Sequence, residues 1–329
     1  MDALAGLTRS AGSPDEHGRR TPTALALHSA IWGRLGRWRP GRALLDSFPV
    51  RRLARLWLQR RVVAKQQSRP DDVAVVIGIR DRNDHRLELA LRSLRDQTHP
   101  ADQVQILVVD YGSEPISAAR TVKMCEQYGA TCLRAEVTGV WSRGRCLNIG
   151  IRQVTTKYLM TSDVDLLFSP GFLAEAVAVL RDSPLSVVCS PMLDLSEDST
   201  GLLRDITATG APLRLREWKR STVPRRGWEY HPSVTVTHSA VHRLIRGYDE
   251  YYELWGAEDD DLLQRLIRVG LDVRVVHSGD VFYLHQWHPR FENLAEDGRE
   301  GVIEANRRYF RRVFTIVRNS KAWGGGASR

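Results

Sequence analysis

VAVVIGIRDRNDHRLELALRSLRDQTHPADQVQILVVD, residues 73–110, holds the fold in miniature. VAVVIGI (73–79) is a short apolar run rich in β-branched residues, the composition of a buried strand. Leu87, Leu91 and Leu94 then recur at helical spacing, and VQILVVD (104–110) is a second run of the first kind. A strand, a helix and a strand in this order predict two parallel strands joined by a crossover helix.

The pattern continues downstream. Residues 116–128 suit a helix, ATCLRA (130–135) a strand, 143–153 a helix and KYLMTSD (157–163) a fourth strand. The expected fold is therefore α/β, with a mostly parallel central sheet flanked by helices. In open sheets of this kind ligands sit beyond the carboxyl ends of the strands. That rule singles out Arg80, Asp110 and Asp163. No GxGxxG follows the first strand and no GxxxxGK[ST] occurs, so neither a nicotinamide fingerprint nor a phosphate-binding P-loop is expected.

Composition bounds the rest. The chain has 329 residues, 42% hydrophobic and 26% charged, which is globular in character. Its apolar runs are far shorter than the roughly 20 residues of a membrane span. No apolar h-region with a small-residue cleavage site follows Met1, so the expected compartment is the cytoplasm. Cys125, Cys132, Cys146 and Cys189 form no CxxC pair and are expected as reduced thiols.

The net charge of +9 is unevenly placed. Residues 1–70 hold 14 Lys and Arg against 4 Asp and Glu, a net +10 that leaves −1 for residues 71–329. Residues 1–22 are polar and read as a disordered tail. Residues 23–70 form a basic helical extension, with Trp32, Trp38, Leu44, Leu45, Leu53, Leu56, Trp57 and Leu58 among arginines. The stretch after Pro49 is expected as a basic helix whose apolar face Arg60 and Arg61 interrupt. It either packs on the main domain with its arginines in solvent or meets an anionic membrane surface. The second option would place the protein peripherally at the inner membrane face.

Three clusters can carry chemistry. TSDVDLLF (161–168) sets Asp163 and Asp165 two apart, on one side of an extended chain, where paired carboxylates can hold a divalent cation beside a diphosphate. VVHSGDVFYLHQWHPR (275–290) offers His285, His288 and His277, in that order of preference, as a further ligand. Imidazole with carboxylate suits manganese or a similar ion. ELWGAEDDD (253–261) places Trp255 and Gly256 before four acids that open a helix with apolar face Leu262, Leu263, Leu266 and Ile267. The helix dipole reduces the repulsion among Glu258, Asp259, Asp260 and Asp261. An aromatic wall over a carboxylate suits a sugar and a general base, and Tyr251 and Tyr252 would extend the wall.

These motifs resemble known ones. WGAEDDD is similar to the WGGEDDD motif of the beta-1,4-galactosyltransferases and their bacterial relatives. WSRGRCLNIGIRQ (141–153) followed by YLMTSDVDLLF resembles that family's FNRAKLLNVGF segment and SDVDL metal motif, and GIRDRNDH (78–85) resembles its PFRNR segment. VVDYGS (108–113) is similar to the VVDDGS motif of bacterial family 2 glycosyltransferases, which share the GT-A (Rossmann-like) fold. Order and spacing agree over roughly residues 73–290.

The resemblance implies a GT-A domain over residues 71–292, with a nucleotide-sugar half (71–190) and an acceptor half (191–292). Residues 293–329 would follow as a C-terminal helix and flexible tail. It implies a UDP-sugar donor of galactose, N-acetylhexosamine or glucose type, Mn2+ or Mg2+, and a glycan, lipid-linked or small-molecule acceptor. Asp259 would deprotonate the acceptor hydroxyl, with inversion. Glu258 and Asp260 would grip the acceptor or support that base, and Trp255 would touch donor and acceptor. Asp165 would ligate the metal with His285 or His288, and Asp163 would face the ribose or a metal-bound water. Arg80, Arg82 and Asp110 would bind the nucleotide, and Arg143 and Asn148 would shape the diphosphate–sugar pocket.

Two departures stand out. Ala257 replaces the second glycine of WGGEDDD. If His277 were the metal histidine, Arg274 would occupy the position of a ligating methionine. The basic segment ending REWKRSTVPRRGWEYHP, with Trp218, Trp228 and Tyr230, has no counterpart; it is read either as a loop closing over the diphosphate or as a solvated excursion. Two other readings remain: a retaining enzyme of the polypeptide N-acetylgalactosaminyltransferase type, and a non-catalytic basic protein binding membrane or nucleic acid. The near-neutral body argues against nucleic acid.

Overall fold

The computed structural model describes residues 23–37, 48–66, 69–220, 222–224, 229–289 and 299–325. The expected tail (1–22), together with Trp38, Leu44, Leu45, Trp228 and the end of the chain from 326, lies outside the described residues. A seven-stranded sheet runs in the order β10-β6-β9-β4-β1-β2-β3. Its strands are β1 (Val73–Ile79), β2 (Val104–Tyr111), β3 (Thr131–Ala135), β4 (Tyr158–Ser162), β6 (Ser186–Ser190), β9 (His231–His238) and β10 (Asp272–Val275). β1 pairs in parallel with β2 and β4, as the crossover pattern requires, and β9 alone runs against its neighbours β4 and β6. Since β9 lies between β4 and β6, the two expected halves share one sheet.

Period-two alternation decides the layers. Val73, Val75, Ile77 and Ile79 face helices α3 (His85–Arg95), α4 (Pro115–Gln127) and α6 (Phe172–Asp182), through Leu87, Leu91, Cys125 and Phe172. Ala74 and Val76 face the other layer, which contains α5 (Arg143–Gln153), α9 (Ser239–Ile245) and α10 (Glu258–Val269). α5 can lie close on the sheet because Gly150 has no side chain; a Cβ there would sit 2.5 Å from Val76 Cγ1. The four cysteines are free thiols.

A second sheet, β5-β11-β7-β8, was not foreseen. It comprises β5 (Leu166–Phe168), β7 (Met192–Asp194), β8 (Val223–Pro224) and β11 (Tyr283–His285). Helices α7 (Ser199–Thr209) and α8 (Leu215–Lys219) cover it through Leu203, Ile206, Leu215 and Trp218. The segment ending REWKRSTVPRRGWEYHP is thus anchored on this sheet through Leu203, Ile206, Leu215 and Trp218, so it is not a wholly solvated excursion.

The basic extension packs on the body. Trp32 of α1 (Thr23–Leu35) and Leu58 of α2 (Phe48–Leu58) are buried in the α10 layer. Arg55 donates to Gly270 O and Asp272 just beyond α10. The break expected at Arg60 and Arg61 is absorbed by a π turn over Gln59–Val63. The wider turn adds a residue to the period, so Leu58, Val62 and Val63 are all buried. At the other end, α11 (Arg299–Arg312) and residues 313–325 return to the body, where Ile316 joins the same layer.

Candidate functional site

The site forms where β1, β2 and β4 end and α5 and α10 begin. Arg80, just past β1, donates to Gly139 O at 2.7 Å. Asp110, the last carboxylate of β2, is fully buried; its Oδ1 accepts from Ser113 N while Oδ2 has no partner. An orphaned buried carboxylate oxygen is costly unless a ligand donor completes it. Asp81 ties these strand ends together, its amide donating to Ser113 Oγ and its carboxylate accepting from Glu114 N.

Arg143 is the centre. It is the first residue of α5, whose N-cap Ser142 accepts from Arg145 N and donates to Tyr252 O. Its Nε donates to Asp163 Oδ1 at 2.5 Å, its Nη1 bonds Asp259 Oδ1, and its Nη2 donates to Ser233 O. One guanidinium, 8% exposed, therefore fixes the first aspartate of SDVD and the second acid of EDDD. Burial pushes the Asp259 carboxyl well above the ordinary range; Arg143 pulls it down, and Glu258 and Asp163 push it up. A carboxylate with raised affinity for protons suits a general base.

The four acids of α10 have four different surroundings. Glu258 is buried, and its Oε2 accepts from Gly256 N, closing the turn before the helix. Asp259 meets Arg143, and Asp260 is half-buried. Asp261 has no exposed surface; Arg265 donates to it at 2.7 Å and Arg318 faces it at 2.6 Å. Asp261 is part of the packing under the site.

The turn before α10 is strained. Leu254 and Ala257 have φ of 57° and 70°, in the left-handed region that disfavours a Cβ. The glycine expected at 257 from the family motif would relieve that cost. Trp255 stands 58% exposed at the tip. Asn306 of α11 holds the turn by donating to Glu253 O and Trp255 O, and Tyr309 stacks on Tyr251 with centroids 3.8 Å apart. Tyr251 is exposed and Tyr252 buried, so only the first extends the aromatic wall. Sequence reading missed Asn306 and Tyr309, whose helix carries no motif.

Asp163 and Asp165 do not act on one side of a strand. β4 ends at Ser162 and the chain turns, so Asp163 points to Arg143 and Asp165 to the histidines. Asp165 Oδ2 lies 3.4 Å from His288 Nε2 and 3.9 Å from His285 Nε2. One ligand atom from each of the three falls within 4.8 Å of the others. Two imidazoles and a carboxylate are a fitting donor set for a first-row divalent ion. His277 is exposed and outside the group. Arg82 stands 3.9 Å from Asp165.

Asp194 is a further residue the sequence did not reveal. It sits opposite His285 in the β7–β11 register, and its Oδ1 is 2.9 Å from His285 Nδ1. That contact directs His285 Nε2 toward Asp165, as a carboxylate behind a metal-binding histidine commonly does. Asn148, in contrast, is set apart from the opening. It is fully buried, and its amide is used on Tyr248 and Glu250, so it braces the wall from behind.

A family model described as glycosyl transferase family 2 matches residues 74–241. A second, described as the N-terminal domain of galactosyltransferase, matches residues 215–289. Among solved structures, the mannosyltransferase PcManGT from Pyrobaculum calidifontis, in complex with GDP-Man and Mn2+, is 17% identical with a TM-score of 0.50. The match covers 85% of this chain and 74% of that one. TarS of S. aureus is 17% identical with a TM-score of 0.48, over 65% of this chain and 60% of that chain. Its complex with UDP-GlcNAc is 15% identical with a TM-score of 0.49, over 67% of this chain and 59% of that chain. The chain thus spans about three fifths of the length of these TarS structures. No curated protein matches it.

Proposed function

This chain belongs to glycosyl transferase family 2, whose model matches residues 74–241, and we propose that it is a metal-dependent, inverting member using a UDP-sugar. It is an enzyme with the GT-A fold. Residues 71–292 would be its catalytic body, with α1 and α2 a helical buttress and α11 a support for the acceptor side.

The observation that carries the reading is the bridge made by Arg143. It links Asp163, two residues from the metal group, to Asp259 in the acidic run. The donor would lie along the strand ends, its base accepted by Asp110 and its ribose and phosphates by Arg80, Arg82 and Asp163. Asp165, His285 and His288 would hold Mn2+ or Mg2+, which offsets charge on the departing diphosphate when bound. The acceptor would stack on Trp255 and Tyr251, with Asp260 at its edge. Asp259 would take the proton from the attacking hydroxyl as it displaces the nucleotide, inverting the anomeric carbon. Glu258, bonded to the turn, supports the base by fixing the backbone that presents it.

Thermal unfolding with nucleotides and nucleotide sugars, with and without manganese, tests this. A ligand that binds only the folded state raises the melting temperature. The reading requires a rise with UDP or a UDP-sugar that needs manganese and is lost in Asp165→Ala. A rise with no need for metal would overturn the metal assignment, and none with any nucleotide would overturn the donor assignment.

A further inference from the structure

Helix α2 carries apolar side chains that the core does not use. Its inner face is spent on the body: Leu58 and, past the π turn, Val62 and Val63 are buried. Leu53 and Leu56 are 69% and 48% exposed. Spaced three apart, they share one face of the helix. Arg52 and Arg60, both exposed, stand four residues before and after Leu56. Single exposed leucines are ordinary, but a pair flanked by Arg52 on α2 and Arg60 in the π turn that follows is a different surface.

Its electrostatics point one way. The described stretches 23–37 and 48–66 contain eight Arg and Lys and no Asp or Glu. Among the described residues Arg52, Arg60 and Lys65 have no carboxylate partner, whereas Arg55 is taken by Asp272. The surface is also separate from the donor site. α2 meets the C-terminal end of α10 at Gly270, and the acids of the site open the other end of that twelve-residue helix, about 18 Å away.

We propose that the outer face of α2 and the π turn after it dock on an anionic lipid bilayer, with Leu53 and Leu56 entering the headgroup region and Arg52 and Arg60 meeting lipid phosphates. Apolar side chains framed by cations on a surface helix have the chemistry for this interface. A nucleic acid would use the cations and leave the leucines idle, so the leucines favour the membrane.

Flotation of the full chain with vesicles tests it, at about 0.15 M salt to screen weak attraction. Equal parts phosphatidylglycerol and phosphatidylcholine should carry the protein up, and phosphatidylcholine alone should not. Leu53→Glu with Leu56→Glu, and separately Arg52→Glu with Arg60→Glu, should each weaken binding at least tenfold. Both should keep the wild-type melting temperature and its response to nucleotide. Failure to float with anionic vesicles would overturn the proposal. So would unchanged binding by the leucine variant, or displacement from vesicles by single-stranded RNA that the leucine variant binds equally well.

Discussion

Arg318 Nη1 lies 2.6 Å from Oδ1 of Asp261, joining the C-terminal segment to the third aspartate of the acidic run. The same guanidinium contacts Asp249, and Arg265 holds the other oxygen of Asp261. All four side chains are buried. Removing one partner leaves a charge without compensation in the interior, at a cost of about 3–5 kcal/mol. Asp261→Ala and Arg318→Ala should both lose that much in urea unfolding, and Asp260→Ala should lose under about 1 kcal/mol. Equal losses at 260 and 261 would contradict the division of roles among the acids.

Arg143 offers a test of the base. Its charge favours the ionised form of Asp259, against burial. Arg143→Gln should therefore raise the Asp259 pKa. A base works only when deprotonated, so the acid limb of the rate profile should move to higher pH. The maximal rate of donor hydrolysis should fall about 100-fold, as when a preorganised charge is removed. An unmoved acid limb would detach Asp259 from the profile.

Asp194 should act on metal affinity. Asp194→Asn preserves shape but weakens the orientation of His285, and losing the carboxylate behind a ligating histidine costs about 10–100-fold in metal affinity. Manganese titration followed by electron paramagnetic resonance reads this without turnover. Affinity equal to wild type would leave Asp194 a structural residue only.

Ala257 reports on strain. A left-handed alanine costs roughly 1–2 kcal/mol relative to its ordinary conformation, and glycine returns part of this as unfolded-state entropy. Ala257→Gly should stabilise the chain by less than about 1 kcal/mol and leave donor hydrolysis unchanged. A destabilised variant would mean that the turn relaxes in solution.

His238 and His242 should govern the acid limit of stability. Burial lowers His238 to about 4 and His242 to about 3, with Lys157 adding to the first and Arg265 to the second. Above the ordinary histidine pKa of 6.5 both states are neutral and neither residue contributes a slope. Below it the unfolded chain takes up protons that the folded chain refuses, so stability falls as pH drops from 6.5 toward 4. Each histidine contributes roughly 1.4 kcal/mol per pH unit in that window. His242→Leu should shallow the slope, measured by urea unfolding at stepped pH.

Local periodicity made the first half of the fold legible. β1 and α5 have the boundaries that the apolar runs suggest, because each is long enough to show its period and sits one short loop from its neighbour. The second sheet was hidden because its strands are two or three residues long and pair across the chain, Tyr283 with both Phe168 and Met192. Asp194 gains its position from that same pairing, so no local pattern marks it. The π turn hid the continuity of the apolar face around Arg60 for a different reason: a 3.6-residue period assumes a regular helix. Two separate motifs singled out Asp165 and its two histidines, and the fold brings them within reach of one another. It did not separate Asp261 from Asp259, since adjacent acids look alike until their partners are placed.

The tie between Arg318 and Asp261 also joins distant parts of the chain through one short segment. Ser29 Oγ of α1 accepts from the amides of Ile316 and Val317, two and one residues before Arg318. Ile316 packs with Trp32 and Leu262 in one layer. Residues 313–325 thus act as a strap, through which a disturbance of the basic extension reaches the helix that presents Asp259.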